Sequence, residues 1–295
     1  MTQPWSAVLG VGSVAVSAML SGMALVSSEP TPRDAYVDEG YELVWAEEFD
    51  EPGRPNPENW GYEHGFSRNR EAQWYQPQNV EVRDGLLVIE ARRERVANTD
   101  FDPDATNWRR SREYAEYTSA SLRTKDQHAW TYGRFEMRGR IDIREGLWPA
   151  WWTVGFARPW PGGGEIDMME YYDGVVLANA CWKSPGGRWD AEWDAVRTPV
   201  AELAGNMTPE QWADEFHVWR MDWTEDRIEL FLDGRLLNTI DLSETVNPDG
   251  SNPFHEPHYM IVNLAIGGQH GGDPDRTEFP ARFEVDFIRV YQKPG

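Results

Sequence analysis

Cysteine is nearly absent from this sequence of 295 residues, and its scarcity limits the chemistry available. Cys181 is the single cysteine, so no disulfide can form within the chain. No cluster of cysteine and histidine has the spacing of a zinc site, and the six histidines are scattered. Because no histidine pattern typical of a nucleophile and its base accompanies Cys181, we interpret it as a small buried residue.

Basic residues are also few: 28 Lys and Arg stand against 50 Asp and Glu, and the net charge is −22. Nucleic acid binding needs a basic footprint for phosphate contacts, so nucleic acid is not expected as a partner. The same deficit disfavours polyanionic substrates, unless a local basic groove overrides it. Tryptophan, by contrast, numbers 16, which suits either sugar-stacking surfaces or a tryptophan-rich core.

Charge is missing altogether from residues 5–27, which read WSAVLGVGSVAVSAMLSGMALVS. This stretch predicts a secretory signal peptide or a membrane anchor over residues 1–28, although no Lys or Arg precedes it. The polar residues 29–40 are expected to form a linker, and residues 41–293 are enough for one large domain. We therefore expect a secreted, periplasmic or cell-surface protein, with membrane contact only through an uncleaved N-terminal segment.

Strand patterns dominate the chain after this linker. Segments such as NVEVRDGLLVIEARRE and HVWRMDWTEDRIELFLDGRLLNTIDL alternate apolar and polar residues between turn residues, and Asp-Gly pairs indicate hairpins. TPEQWADEF predicts one short helix with Thr208 as its N-cap. Neither an internal repeat nor a second domain is evident, so the pattern predicts an all-β sandwich or jelly roll.

Three carboxylates lie within six residues of the stretch GGGEIDMMEYYDG. Glu165 and Asp167 share one face of a strand, whereas regular alternation places Glu170 on the opposite face. One extra residue near Met168 or Met169, a β-bulge, brings all three acids to the same side. A solvated polar face and a helix are the alternatives; we favour acids in a cleft because GLWPAWWTVGFARPW, dense in aromatic residues, comes just before them.

The acidic stretch resembles the E-x-D-x-x-E signature of glycoside hydrolase family 16, in the bulged form of its laminarinase-like branch. Further blocks resemble the same family in the same order, among them LVWAEEFD, YGRFEMRGRI, GLWPAWWTVG and HYMIVNLAIGGQHGG. The resemblance spans about residues 41–292. It implies a β-jelly roll sandwich of two curved antiparallel sheets with a concave substrate cleft, and an enzyme that hydrolyses internal β-glycosidic bonds with retention of configuration.

The resemblance also implies a role for each acid. Glu165 is expected to be the nucleophile, Glu170 the general acid/base, and Asp167 a helper between them. A retaining glycosidase needs one ionised and one protonated carboxyl group about 5–5.5 Å apart. Asp167 is expected to orient Glu165 and, through its charge, to raise the proton affinity of Glu170.

Less specific expectations concern sugar contacts and a metal. The resemblance and the aromatic positions predict substrate contacts at Asn69, Trp130, Glu136, Arg138, Trp148 and Trp182. Core packing is the alternative for Trp130, and Trp148 and Trp152 alternate with Trp151, so only one set faces sugar. The family often binds one structural calcium, for which the matching positions are Glu48, the Gly85 carbonyl and Asp286; ordinary strand-end acids are the alternative. No cofactor is expected for the chemistry itself.

One departure from the family pattern leaves the substrate open. Laminarinase-like members commonly carry a histidine-containing strand after the catalytic motif, whereas this chain has VLANACWKS there. We expect β-1,3-glucan as substrate, with red-algal galactans (agar, porphyran or carrageenan) as the alternative. A non-catalytic glycan-binding jelly roll and a transglycosylase are further alternatives. A polysaccharide is the expected partner, and no protein partner is implied.

Overall fold

The alternating residues of the sequence form strands that pair almost entirely antiparallel in the computed structural model, which describes residues 31–294. The larger sheet has eight strands in the order β17-β16-β15-β10-β19-β5-β4, and β1 pairs with β19 beside this path. Its strands are β1 (Glu42–Glu47), β4 (Val80–Arg83), β5 (Leu86–Ala91), β10 (Gly133–Ile141), β15 (His217–Trp223), β16 (Arg227–Leu232), β17 (Arg235–Asp241) and β19 (Ala281–Gln292).

The second sheet has seven strands in the order β14-β13-β12-β11-β18-β9-β2. They are β2 (Gly61–Tyr62), β9 (Ser121–Arg123), β11 (Leu147–Gly155), β12 (Glu165–Tyr172), β13 (Val175–Lys183), β14 (Ala191–Pro199) and β18 (His258–Ile266). Its central strands β11, β12 and β18 carry the aromatic and acidic motifs of the sequence.

Smaller elements connect and flank the sheets. They are the parallel pair β3 (Gln73–Tyr75) and β8 (Tyr117–Ser119), the hairpin β6 (Val96–Ala97) and β7 (Tyr114–Ala115), the helices α1 (Val200–Leu203) and α2 (Pro209–Ala213), and four single 3₁₀ turns at Val37–Glu39, Pro77–Asn79, Pro253–His255 and Pro274–Arg276. The predicted helix is α2. Its N-cap is Thr208, whose side chain accepts from the Gln211 backbone N–H while the Gln211 side chain accepts from the Thr208 N–H.

The core lies between the two sheets. Alternate residues of β10, such as Phe135 and Met137, meet alternate residues of the second sheet, such as Trp151 and Val262, in one continuous cluster of buried side chains. The predicted fold, an all-β jelly roll of two antiparallel sheets, is confirmed.

Residues 31–40, the described part of the predicted linker, pack against the outer face of the larger sheet. Tyr36 donates a hydrogen bond to Glu136 of β10, and its ring meets Tyr291 of β19 edge-on at 5.1 Å. Arg289 of β19 donates to the Thr31 carbonyl. The segment is therefore held on the domain and does not run free of it. The predicted signal peptide or anchor lies outside the described residues, and within residues 31–294 no helix is long and apolar enough to cross a membrane.

Candidate active site

A bulge in β12 brings the three acids to one face of the seven-stranded sheet. Against β11, Asp167 pairs with Trp152 and Met169 with Trp151, so Met168 is the extra residue. Met168 and Met169 are both buried in the core. The irregularity predicted from the five-residue spacing is confirmed. We call the side of this sheet that is turned away from the core the cleft face; Glu165, Asp167 and Glu170 lie on it.

Glycines before β12 permit a close crossing of the chain. A Cβ on Gly155 would lie 2.1 Å from the Gly163 carbonyl oxygen, and one on Gly163 would lie 2.5 Å from that of Gly155. Gly164 has φ of +78°, in the left-handed region that favours glycine. The end of β11 and the start of β12 therefore approach closely just before the first acid, and larger residues there would displace Glu165.

Each acid is held by a neutral donor. The indole N–H of Trp148 donates to Glu170 Oε1 at 2.7 Å, and that of Trp160 donates to Glu165 Oε2 at 3.0 Å. Nδ2 of Asn179, on the adjacent strand β13, lies 3.3 Å from Glu170 Oε2 and 3.5 Å from Asp167 Oδ2. These contacts orient the acids without neutralising them.

Burial raises the pKa of all three acids, and like charge within the triad adds to this for Glu165 and Asp167. Burial, then the charge of Glu170, raises the pKa of Glu165 to about 8, and burial raises the pKa of Glu170 to about 7. The pKa of Asp167 is raised well above its usual value by burial and by the charges of both glutamates. The three groups titrate together, and near neutral pH the site holds protons that isolated carboxylates would lose.

The expected role of Asp167 stays a prediction. Burial and the charges of both glutamates raise the pKa of Asp167 well above its usual value. For Glu170, burial and the charge of Glu71 raise the pKa. Asp167 shares the cleft face with both glutamates, where it can orient Glu165.

Two arginines influence the acids from the sides of the cleft face. Arg68 lowers the pKa of Glu165, and Arg197 of β14 lowers that of Glu170. The Arg68 guanidinium lies 4.9 Å from the centre of the Trp152 ring and forms an ion pair with Glu63. Its Nη1 is buried and has no hydrogen-bond partner among the described residues. A cation thus favours the ionised form of each glutamate, from opposite sides.

Apolar clusters separate from the core border the acids. On the Glu170 side are Trp148 and Tyr172, with Leu177 and Ala265; the other cluster contains Trp152, Ala150, Val154 and Ile261. His270 stacks on Tyr172 at 5.2 Å and meets Trp148 edge-on at 5.4 Å. Indole and imidazole rings beside carboxyl groups are what a sugar chain requires, because its hydroxyls bond to polar groups while its C–H faces stack on rings.

Of the predicted sugar contacts, Trp148 lies beside Glu170, and Asn69 lies in the loop that carries Arg68 and Glu71. Trp148 is on the cleft face, as is Trp152, whereas Trp151 is in the core. Asn69 lies in a loop whose next residues reach the cleft face, and its Nδ2 is 3.3 Å from Glu71 Oε1. Both remain candidates for substrate contact.

The other four predicted contacts lie elsewhere, and these assignments need correction. Glu136 and Arg138 are on β10 of the other sheet, pointing away from the core; Glu136 accepts from Tyr36, and Arg138 pairs with Asp286 at 2.8 Å. Trp182 packs against the core, because it has the opposite alternation to Asn179.

Trp130 is the fourth. It is 8% exposed and belongs to the core cluster, where it contacts Trp45 and Phe135 edge-on. Core packing, the alternative stated for this residue, is what the structure has.

The proposed calcium positions are engaged by arginine. Both oxygens of Glu48 accept from Arg289, at 2.7 and 2.8 Å, and Asp286 pairs with Arg138. Gly85 lies in the β4–β5 turn with φ of +75°. Residues 31–294 contain no group of three metal-ligating side chains. In this structure both carboxylates pair with guanidinium groups; calcium at these positions stays a prediction, and no step below depends on it.

Sequence reasoning missed four residues at this site: Trp160, Arg68, Arg197 and His270. Trp160 carried a signal, since it stands five residues before Glu165 in the aromatic stretch. Arg68 adjoins Asn69, a position that the resemblance did assign. Arg197 and His270 gave no local signal, because strand pairing and a glycine-rich loop bring them to the acids.

The fold and the site together define a carbohydrate-active jelly roll with paired catalytic-type carboxyl groups, and comparison with known proteins agrees. The model of glycosyl hydrolases family 16 matches residues 68–289, and the chain belongs to that family. A β-glucanase of Rhodothermus marinus is 34% identical, over 93% of this chain and 92% of that protein.

Solved structures resemble the chain to a similar degree. The catalytic domain of an endo-1,3-β-glucanase (laminarinase) from Thermotoga petrophila is 31% identical with a TM-score of 0.71, over 86% of this chain and 99% of that one. A structure from work on endo-acting O-glycanases of the human gut microbiota is also 31% identical, with a TM-score of 0.77, over 86% of this chain and 91% of that one.

Proposed function

We propose that this protein is an endo-acting β-glucan hydrolase that retains the anomeric configuration. The observation that carries the proposal is the bulge of β12, because it collects Glu165, Asp167 and Glu170 on one indole-bordered face. A protein that only binds glycan has no need of three acids on one face whose pKa values are all raised.

The reaction follows from the contacts of each group. Glu165 attacks the anomeric carbon in its ionised form, which Arg68 and the Trp160 N–H favour, and forms a glycosyl-enzyme. The coupled acids hold a proton near neutral pH, and in the reacting state that proton lies on Glu170, which protonates the leaving oxygen. Glu170 then takes a proton from water, which attacks the anomeric carbon and releases Glu165. Asp167, on the same face as both glutamates, orients Glu165.

A neutral β-1,3-glucan is the substrate that the site and the relatives favour. The relatives are named as β-glucanase and laminarinase, and Arg68, the cation nearest to Glu165, is already paired with Glu63. A sulfated galactan would also meet the field of a protein whose net charge is −22, which disfavours a polyanion. The uncharged stretch over residues 5–27 supports secretion or display at the cell surface, where such polysaccharides are met.

The deciding experiment is a reducing-sugar assay on laminarin, mixed-linkage glucan, agarose, porphyran and carrageenan, with and without chelator. We expect release from laminarin, internal cleavage by product sizing, and the β-anomer as first product by NMR. Glu165→Gln should abolish release while oligosaccharide binding is kept. Activity on a galactan but not on laminarin would overturn the substrate; products longer than the substrate would indicate a transglycosylase; unchanged activity of Glu165→Gln would overturn the catalytic assignment.

A further inference from the structure

A second cavity lies behind the loop that borders the active site. This loop, residues 63–72, is called the cleft loop here. Its residues Arg68 and Glu71 act on the pKa of the catalytic glutamates, whereas His64 and Phe66 line a cavity of about 580 Å³. The opposite wall is formed by residues 99–110, part of the chain between β6 and β7 that is called the insert. One loop therefore serves two sites.

Aromatic rings line this cavity. On β3, Gln73 and Tyr75 point into the fold, where Gln73 accepts from the Ile266 N–H and Tyr75 accepts from Asn263. Trp74, between them, points the other way and lines the cavity. Phe66 meets Trp74 edge-on at 5.5 Å. Across the cavity Phe101, although apolar, is 38% exposed.

Gly65 lets the backbone approach one side of the Trp74 ring closely. A Cβ there would lie 3.2 Å from the Trp74 ring, and Gly65 has φ of +77°. The backbone thus covers part of the Trp74 ring, and the rest of the ring is available to a flat ligand that stacks on it.

The charges of the cavity are already balanced, which defines the ligand. Arg109 donates to the Ser67 carbonyl, and Arg110 pairs with Asp102 at 3.0 Å. Asp100 adds a negative charge to the lining of a protein whose net charge is −22. An anionic ligand would find neither a free guanidinium nor a favourable field. A neutral polyhydroxyl chain with apolar faces satisfies the rings and the polar lining together.

The cavity is also fixed to the active site. Arg112 of the insert donates to the backbone carbonyls of Glu71 and Arg70, and Arg109 holds Ser67. The guanidinium of Arg112 also lies 4.8 Å from the centre of the Phe66 ring. These contacts bind the insert to the cleft loop, so the two sites share one rigid wall.

We propose that this cavity is a second binding site for the neutral glycan polymer, separate from the catalytic acids and built by the insert on the cleft loop. The inference rests on the proposed function for the identity of the polymer. A long glycan chain can then bind the active site and this cavity at the same time, whereas a short oligosaccharide binds only one of them.

The test compares Trp74→Ala and Phe101→Ala, on facing walls, with Tyr114→Ala as the control. Tyr114 is the first residue of β7, directly after the insert; it is 39% exposed and does not line the cavity. The probe is whichever polysaccharide of the panel the wild-type protein hydrolyses, expected to be laminarin. Retention in native gels containing that polymer is measured with Glu165→Gln also present, so that the polymer stays intact.

We expect each cavity variant to weaken polymer binding about five- to tenfold, and Tyr114→Ala to change nothing. With the acids intact, kcat/KM for a tetrasaccharide of the same linkage should be unchanged while that for the polymer falls. Equal retention of Phe101→Ala and Tyr114→Ala overturns the second site, and this comparison stands even if Trp74→Ala fails to fold. If Phe101→Ala and Tyr114→Ala are retained equally but the wild-type protein hydrolyses laminarin, only the second site is overturned and the proposed function stands. If the wild-type protein hydrolyses no β-glucan, the proposed function is overturned instead.

Discussion

The outward faces of the two sheets both carry acids at alternate strand positions, but the residue across the ladder differs. On the larger sheet Asp222 stands directly opposite Arg134, and Glu284 directly opposite Arg140. On the cleft face Glu165 stands opposite Cys181, and Asp167 opposite Asn179. Acids that face cations form ordinary cross-strand pairs, whereas acids that face neutral residues share protons.

The comparison teaches that the partner across the strand, more than the acid itself, decides between structure and chemistry. Arginine lowers the pKa of Glu48, directly after β1, while burial and like charge raise the pKa of Glu165 on the cleft face. Glu136 is an exception: it stands opposite Arg220 and Arg289, yet burial raises its pKa, and its Oε1 has no partner among the described residues. The segment 31–40 covers it, however, so no substrate reaches it.

The largest expected difference between the faces is in catalysis. Glu170→Gln removes the proton donor, so kcat on laminarin should fall about a thousandfold. Asp286→Asn, an amide substitution on the other face, should leave kcat within about twofold. A substrate with an activated aryl leaving group should recover much of the loss in Glu170→Gln, because its departure needs no proton. Retention of more than a tenth of the polymer activity would contradict the role of Glu170.

The next difference concerns stability. Arg134 and Asp222 form a paired contact at 2.7 Å with side chains 7% and 12% exposed. Asp222→Asn removes one of the two carboxylates paired with the buried Arg134, the other being Glu39, so the free energy of unfolding should fall by about 2 kcal/mol while kcat is unchanged. The control is Arg235→Gln, which breaks an exposed pair and should cost less than about 1 kcal/mol. Chemical denaturation measures both; equal effects of the two variants would show that burial does not matter here.

The sequence predicted the fold and the acids because both depend on local alternation. The odd spacing of Glu165 and Glu170, which are five positions apart, already implied the bulge, and its presence is confirmed. Alternation also excludes a shared face for Asn179 and Trp182, which are three residues apart. Alternation does not show which sheet a strand joins. Glu136 and Arg138 of β10 were therefore predicted to contact substrate, although β10 belongs to the other sheet.

Contacts between distant segments were beyond such reasoning. Glu48 and Arg289 are 241 residues apart, and no local pattern announces that they pair. The same is true of Arg197 and His270, which a neighbouring strand and a loop bring to Tyr172. The arginines that flank the acids were therefore found only in the structure.

Arg68 and Arg197 should each affect a different limb of the pH profile of kcat/KM. Loss of Arg68 raises the pKa of Glu165, which must be ionised, so the acidic limb of kcat/KM should move to higher pH in Arg68→Met, by about half a unit to one unit. Loss of Arg197 raises the pKa of Glu170, which must be protonated, so the alkaline limb should move upward in Arg197→Gln. That shift should be the smaller one, because Arg197 is exposed. Movement of the same limb in both variants would contradict the assignment of nucleophile and acid.

The smallest expected effect is a pair of stability changes of opposite sign. The pKa of Glu165 is raised from an ordinary value of 4.5 to about 8, so between these values the native protein binds the extra proton and stability falls as the pH rises. Glu165→Gln should therefore raise Tm at pH 8 by roughly 3 °C and change little near pH 4. Arginine lowers the pKa of Glu48, which therefore contributes stability above 4.5 that is lost in acid. Glu48→Gln should lower Tm at pH 8, by an amount that shrinks as the pH falls. Calorimetry between pH 4 and pH 8 measures both changes in Tm. Changes of the same sign in Glu165→Gln and Glu48→Gln would contradict the opposite pKa shifts of these two acids.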